Sequence, residues 1–310
     1  MPRQGSSRIN KALTNMSVMY KNEDYIARKV LKDIPVAKES DLYWIYANDM
    51  RVEETKRANG AQANMATWEA STSSYVAVEH AIKDVITETD RANTDAPLEL
   101  DRDTVEYLTD KVMLREEYEA AKLLFTTTTF SNNTTLNTAS SWKYNTTTSA
   151  PIQNVLSATG SIIKNGTVKP NTMIIGWEGF EALKENNNVY SRIQYVERAI
   201  VTEDLLSALF DLDMVYVGTA VYNGAKEGAT DSMGFVWGSD AVVGYFAPRP
   251  TLKTKTAAGT FRATYKGSPM RVKKWFEDDV EGDFIEVQTK FVHKAIATSA
   301  AYLFKTVALS

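Results

Sequence analysis

The stretch GTVKPNTMIIGWEGFEALKENNN, residues 166–188, decides how the fold is read. Gly166 and the pair Pro170-Asn171 make a turn, and the apolar run Thr172-Met173-Ile174-Ile175-Gly176 that follows has the length of a buried strand. Trp177, Phe180 and Leu183 then share one helical face until Asn186-Asn187-Asn188 stops the helix. A strand feeding directly into a helix is the unit of an α/β layer.

The pattern continues on both sides. Residues 152–164 predict a helix, and Thr202 predicts the N-cap of another, with Glu203 and Asp204 in its first turn and Leu205, Leu206, Leu209 and Phe210 packing. Strands are predicted at 214–218, 234–238 and 241–246, with a last one at 300–307 rejoining the same sheet. Between them, 270–276 and 284–297 read as two strands joined by the acidic turn Glu277-Asp278-Asp279-Val280-Glu281-Gly282-Asp283. In the second of these, Ile285, Val287 and Phe291 face one way and Glu286, Gln288 and Lys290 the other.

Toward the N-terminus the chain is less self-sufficient. Residues 97–125 predict a long helix whose apolar side, including Val105, Leu108, Val112, Met113, Ala121 and Leu124, is interrupted by Arg115, Glu116 and Glu117. It reads as a partly buried strut, with the adjacent carboxylates Glu53-Glu54, Glu116-Glu117 and Asp278-Asp279 on solvated faces. Residues 126–149, with ten Thr, four Ser and four Asn, read as a polar surface excursion. Residues 41–80 read as two long strands about a type I′ turn at Asn59-Gly60, apolar at the root and polar on both faces further out. At roughly 3.3 Å per residue, such an arm reaches about 50 Å. Residues 1–32 hold seven basic side chains against two acidic ones and too few apolar ones to fold alone.

Composition excludes several functions. The 310 residues carry a formal net charge of -4, and 44% are hydrophobic, which describes a globular chain rather than a nucleic-acid-coating one. There is no Cys, so thiolate metal sites and thiol nucleophiles are out, and His80 and His293 are the only imidazoles. The longest mostly apolar run, 295–304, is half of what a bilayer span needs, so no membrane association is expected. Phosphate-binding glycine loops, a nucleophile elbow and an HExxH pair are missing, so no enzyme, cofactor or metal site is expected and both His read as structural. In the acidic turn, Glu277, Asp279, Glu281 and Gly282 loosely imitate a calcium loop, but Gln288 stands at position 12.

One family shares this order of features. Trp142, Ser149-Ala150-Pro151-Ile152, Gly166-Thr167-Val168-Lys169-Pro170-Asn171-Thr172-Met173, Trp177, Leu183, Val189, Arg192-Ile193-Gln194-Tyr195, Leu205-Leu206 and Val215-Tyr216-Val217-Gly218 together resemble the major capsid proteins of tailed bacteriophages. The resemblance implies an α+β HK97-like capsid fold with an N-terminal arm (1–40), an extended β-hairpin loop (41–80) and a peripheral β domain with a long spine helix (81–150). An α/β axial domain (151–265), returning peripheral strands (266–298) and a C-terminal axial strand (299–310) complete it.

It also implies a function without catalysis: copies self-assemble into an icosahedral shell around double-stranded DNA, made in the host cytoplasm and kept in the virion. Arg51, Glu53, Glu54, Lys56 and Arg57 on the hairpin, and Asp278, Asp279 and Glu281 on the acidic turn, are the candidate inter-subunit contacts. The implied partners are further copies of the chain, a portal, and the packaged DNA through non-specific inner-surface contacts. No scaffolding segment precedes the arm, so a separate scaffolding protein, or prior removal, is implied. Two other readings stay open: a cellular nanocompartment shell of the same fold, and a soluble α/β enzyme or ligand-binding protein.

Overall fold

The computed structural model describes residues 8–9, 13, 24–46, 50–67, 69–94, 99–143, 149–193, 201–264 and 268–308. Most of the basic arm lies outside the described residues, as do Gln194 and Tyr195.

Two sheets organise the molecule. The first has five strands in the order Asn132–Thr135, Ala301–Lys305, Ala241–Gly244, Thr172–Gly176 and Met214–Gly218. Its centre is antiparallel, Ala241 facing both Ile175 and Phe304, and its two edges are parallel. Thr172–Gly176 is buried at every position because helices cover one face and other apolar groups the opposite one. On the first face Met173, Ile175, Val243 and Phe304 pack with Val155, Ile162, Leu183 and Phe210 from the helices Pro151–Gly166, Trp177–Glu185 and Glu203–Phe210. Pro151 starts its helix at the position where a missing N–H costs nothing, and the Thr202 hydroxyl accepts from Leu205 N at 3.4 Å as the predicted cap.

The second sheet has six strands. Arg8–Ile9, Met270–Glu277, Gly282–Ala295, Ala258–Ala263 and Asp33–Val36 follow one another, and Val78–Thr87 pairs along Gly282–Ala295 from Phe291 to Gly282. The predicted alternation holds for Ile285, Val287 and Phe291, all fully buried. The polar set departs from it at Gln288, which is buried too and accepts from Arg271.

The long helix, Leu100–Leu124, spans both sheets. Val105, Leu108 and Val112 cover Met270, Val272, Ile285 and Val287 of the six-stranded sheet. Ala120, Ala121 and Leu124 cover Ile174, Val242 and Leu303 on the second face of the five-stranded sheet, together with Ile26, Ala27, Val30 and Leu31. The strut expectation is therefore corrected: this helix is core to both layers, and Glu116 and Glu117 are 2% and 1% exposed rather than solvated.

Three further expectations change. The hairpin ladder runs only from Ser40 to Tyr46 against Ala70 to Val76, and residues 50–67 continue without strand pairing. Its turn does sit at Asn59-Gly60, with Ala61 N bonded to Ala58 O at 3.1 Å. Only Gly60 has positive φ (81°), the pattern of a type II rather than a type I′ turn. Finally, the predicted strand at 234–238 is short: Met233–Phe235 pairs with Val221–Asn223 as a separate ribbon, and Trp237 turns inward. Gly218 makes room for it, since a Cβ there would stand 2.2 Å from the indole.

Candidate functional site

Two regions of the molecule carry concentrated chemistry, one buried and one exposed. The buried one is the joint where the long helix meets the arm and both sheets. The Glu116 carboxylate accepts from Arg28 at 2.7 and 3.0 Å on one oxygen and from Arg262 on the other. Arg262, 2% exposed, is fully engaged: Nε donates to Asp33 at 2.9 Å, Nη1 to Thr289 at 2.9 Å, and its guanidinium lies 5.3 Å over the Phe291 ring. His293 Nε2 lies 3.2 Å from the Glu116 carbonyl, which can only accept, so that nitrogen carries the proton and Nδ1 faces the Thr260 hydroxyl at 2.9 Å. Burial pushes His293 toward the neutral form.

Glu117 is held differently. Its oxygens accept from the backbone N–H of Ile26 at 2.9 Å and Ala27 at 2.8 Å, and from Trp237 Nε1 at 2.6 Å. Among the described residues no ion pair is made to it, and Glu116 stands next to it. Burial therefore raises Glu117 to about 7 despite the three donors. Burial acts the same way on Glu116, but Arg262 and Arg28 outweigh it and hold that carboxyl at about 2. Two neighbouring glutamates thus have opposite acidities, and together they fasten arm, helix and both sheets at one point. Glu116, Glu117, Arg262 and His293 are all buried, and each bonds to other groups of the chain.

The second region is the hairpin. Its root is anchored, because Tyr75 stacks on Phe261 at 4.7 Å and Tyr43 leans on the same ring at 5.0 Å. Its outer part is not. Val52 is 99% exposed, Met65 89% and Met50 70%, and Arg51, Glu53, Glu54, Lys56 and Arg57 are all exposed. Local bonds shape the tip, with the Glu54 carboxylate accepting from Lys56 N at 2.9 Å and the Glu54 carbonyl from Asn64 Nδ2 at 2.8 Å. A cavity of about 510 Å³ lies at the root, where Trp44, Met50, Lys253, Lys255 and Ile296 are among its walls.

The acidic turn is partly compensated within the chain. Asp283 takes Arg91 at 2.8 Å and Lys274 at 3.2 Å, and both cations also hold Asp101, at 2.5 and 2.7 Å. Asp278, Asp279 and Glu281 stay exposed beside exposed Phe276 and Val280. Among the described residues no ion pair links this turn to the hairpin, so the structure does not bring the two sets of candidate contacts together within one chain. His80 stacks on Phe291 at 4.4 Å and lies 3.8 Å from Glu119, and burial lowers its pKa. Sequence reasoning missed the joint. The one signal available was helical spacing, which places Glu116 and Glu117 on the side of Val112, Met113, Ala120 and Ala121.

No protein-family model matches the chain. Over 239 residues it is 26% identical to the major capsid protein of Burkholderia phage BcepMu, covering 76% of each chain. It is 25% identical over 239 residues to the major capsid protein of Pseudomonas phage JBD67, covering 75% of each. Among solved structures, a phage-related protein from Bordetella bronchiseptica RB50 superposes with a TM-score of 0.78 over 98% of this chain and 99% of the other, at 20% identity. The capsid of a native GTA particle gives 0.61 over 98% and 94%, at 12% identity. A virus-like particle from Pyrococcus furiosus gives 0.55 over 95% and 96%, at 10% identity. The chain has the HK97-type fold of phage and GTA capsid chains.

Proposed function

We propose that this chain is the major capsid protein of a tailed phage, a homologue of the BcepMu and JBD67 proteins that builds a closed shell from many copies of itself. The observation that carries this is the match to two phage major capsid proteins along three quarters of both lengths. The hairpin supports it independently. A monomer gains nothing from displaying Val52, Met50 and Met65 to water, whereas a neighbour that covers them gains about 25 cal/mol per Å² of apolar surface.

In this reading the arm (1–40), hairpin loop (41–80), peripheral region (81–150), axial domain (151–265), returning strands (266–298) and last strand (299–310) are the working parts. Arg51, Glu53, Glu54, Lys56 and Arg57 pair with charges on an adjacent copy. Asp278, Asp279 and Glu281 meet basic groups of neighbours where several copies converge. The role is structural rather than enzymatic; a portal, a scaffolding protein and packaged DNA are its other partners, and assembly takes place in the host cytoplasm before the shell becomes part of the virion. No helix among the described residues is long and apolar enough to cross a membrane.

The test is electron microscopy of the purified full-length chain, alone and with its phage's scaffolding protein. Closed shells support the reading, and a compact monomer at high concentration under both conditions defeats it. One alternative stays beside it, a cellular nanocompartment shell of the same fold, which would hold enzyme cargo instead of a genome. Shells isolated from infected cells distinguish the two, since the capsid reading requires nuclease-protected DNA inside.

A further inference from the structure

The long helix buries two of its faces and leaves a third uncovered. From residue 107 to 122 its exposed positions are Tyr107, Lys111, Arg115, Tyr118 and Lys122. Their spacing of four, four, three and four residues puts them in one stripe about 22 Å long. None of these exposed positions is a carboxylate. The side chains lie along one another: Lys111 Nζ is 5.3 Å from the Tyr107 ring centre, the Arg115 guanidinium 6.0 Å from Tyr118, and Tyr118 meets Tyr222 edge-on at 5.4 Å.

A solvated helix face normally mixes signs in pairs four residues apart, as this helix does with Arg102–Glu106 at 3.0 Å and Arg115–Glu119 at 2.7 Å. Those pairs use up Glu106 and Glu119. Lys111 and Lys122 make no ion pair among the described residues, with Asp110 a half-buried carboxylate next to Lys111. Tyr107, 56% exposed, brings an aromatic ring and a hydroxyl to a place where folding needs neither. All five side chains can donate a hydrogen bond to phosphate, and three of them are cations. Over 22 Å of its axis, duplex DNA presents about six phosphates on each strand, all of them acceptors.

We infer that this stripe binds the sugar–phosphate backbone of double-stranded DNA without regard to sequence, and that the face carrying it lines the shell interior. The inference rests on the capsid reading above and adds to it the surface that meets the packaged genome. The open face of the six-stranded sheet, where Lys83 covers the stacked pair Trp275 and Phe284, then points outward.

The test uses the full chain and two unrelated duplexes of roughly 30 base pairs, with binding followed by fluorescence anisotropy from about 50 to 200 mM salt. Lys111→Gln with Lys122→Gln should lower the slope of log affinity against log salt by about 2, equally for both duplexes. Lys143→Gln with Lys164→Gln, two exposed lysines elsewhere, should leave the slope unchanged. An unchanged slope in the first variant, an equal fall in the second, or no duplex binding by the unmodified chain overturns the inference. So does tighter binding of polyglutamate than of DNA, which would assign the stripe to an acidic protein partner. Micrographs of the same chain, alone and with its phage's scaffolding protein, keep the two readings apart: shells with an unchanged slope overturn the DNA surface alone, and absence of shells under both conditions overturns the capsid reading.

Discussion

The Glu116–Glu117 joint and the outer hairpin, residues 50–67, are both rich in charge and treat it in opposite ways. At the joint Arg28 and Arg262 meet Glu116 and Asp33, Trp237 and two backbone N–H groups meet Glu117, and the chain satisfies every one of them itself. On the hairpin Glu53, Lys56 and Arg57 are exposed around Met50, Val52 and Met65, which stay 70%, 99% and 89% exposed among the described residues. The joint makes one subunit a single body. The hairpin leaves apolar surface open to water, and in the proposed reading another copy covers it. A chain that holds itself rigidly at one point and leaves an arm open at another is suited to repeating contacts rather than to a single tight one.

The largest expected effect breaks the closed side of this contrast. Glu116→Gln removes the anion shared by Arg28 and Arg262 and should destabilise the unassembled chain by about 3 kcal/mol, because buried Arg262 keeps only Asp33 as a counterion while the partly exposed Arg28 is released toward water. Urea denaturation checks it; a loss below about 1 kcal/mol would mean the joint is not holding the layers together.

Next in size is a pH effect at Glu117. Its carboxyl is raised from 4.5 to about 7 in the folded chain, so the folded state binds more protons than the unfolded one between those values. The stability this group contributes is therefore full below pH 4.5 and is lost as pH rises through about 7. Glu116, lowered to about 2, behaves oppositely: its contribution is present above 4.5 and fades as pH falls toward 2. Glu117→Gln keeps an acceptor for two of the three donors, and the difference curve between it and the unmodified chain should move in the variant's favour from pH 5 to pH 8. A flat difference would place Glu117's acidity near the ordinary value.

On the open side, Val52→Ser with Met65→Ser should change the stability of the unassembled chain by less than about 0.5 kcal/mol, because these side chains are almost fully exposed. Shell yield should nevertheless fall severalfold by sedimentation. Equal loss of stability and yield would show that the hairpin packs on its own subunit. The smallest effect is expected from Asp278→Asn with Asp279→Asn, a shift in the salt dependence of shell stability with no change in the free subunit; identical salt curves would leave these residues as solvated surface.

Much of this contrast can be read from residues and part of it cannot. The strand 172–176 with its following helix, the Thr202 cap and the Asn59-Gly60 turn are local features, set by neighbours within a few positions. The joint is not local. Glu116 is compensated by Arg28, 88 residues away, and Arg262, 146 residues away, so the local run Arg115-Glu116-Glu117 looked like a solvated charged face. Val78–Thr87 hides its strand because it pairs along one side only, leaving Glu79, Lys83 and Asp84 among its exposed positions. On the hairpin, apolar Met50, Val52 and Met65 were submerged in a polar run, and their exposure became visible only once the rest of the chain was folded beneath them.

The measurement that bears most directly on the whole account is a near-atomic reconstruction of the particle formed by the full-length chain. The account predicts a closed icosahedral shell in which residues 50–67 lie on an adjacent subunit, with Val52 and Met65 buried there, while the Glu116–Arg262 and Glu117–Trp237 contacts remain within each subunit. A shell whose hairpins stand free in solvent, or a chain that stays monomeric with scaffolding protein present, would contradict it.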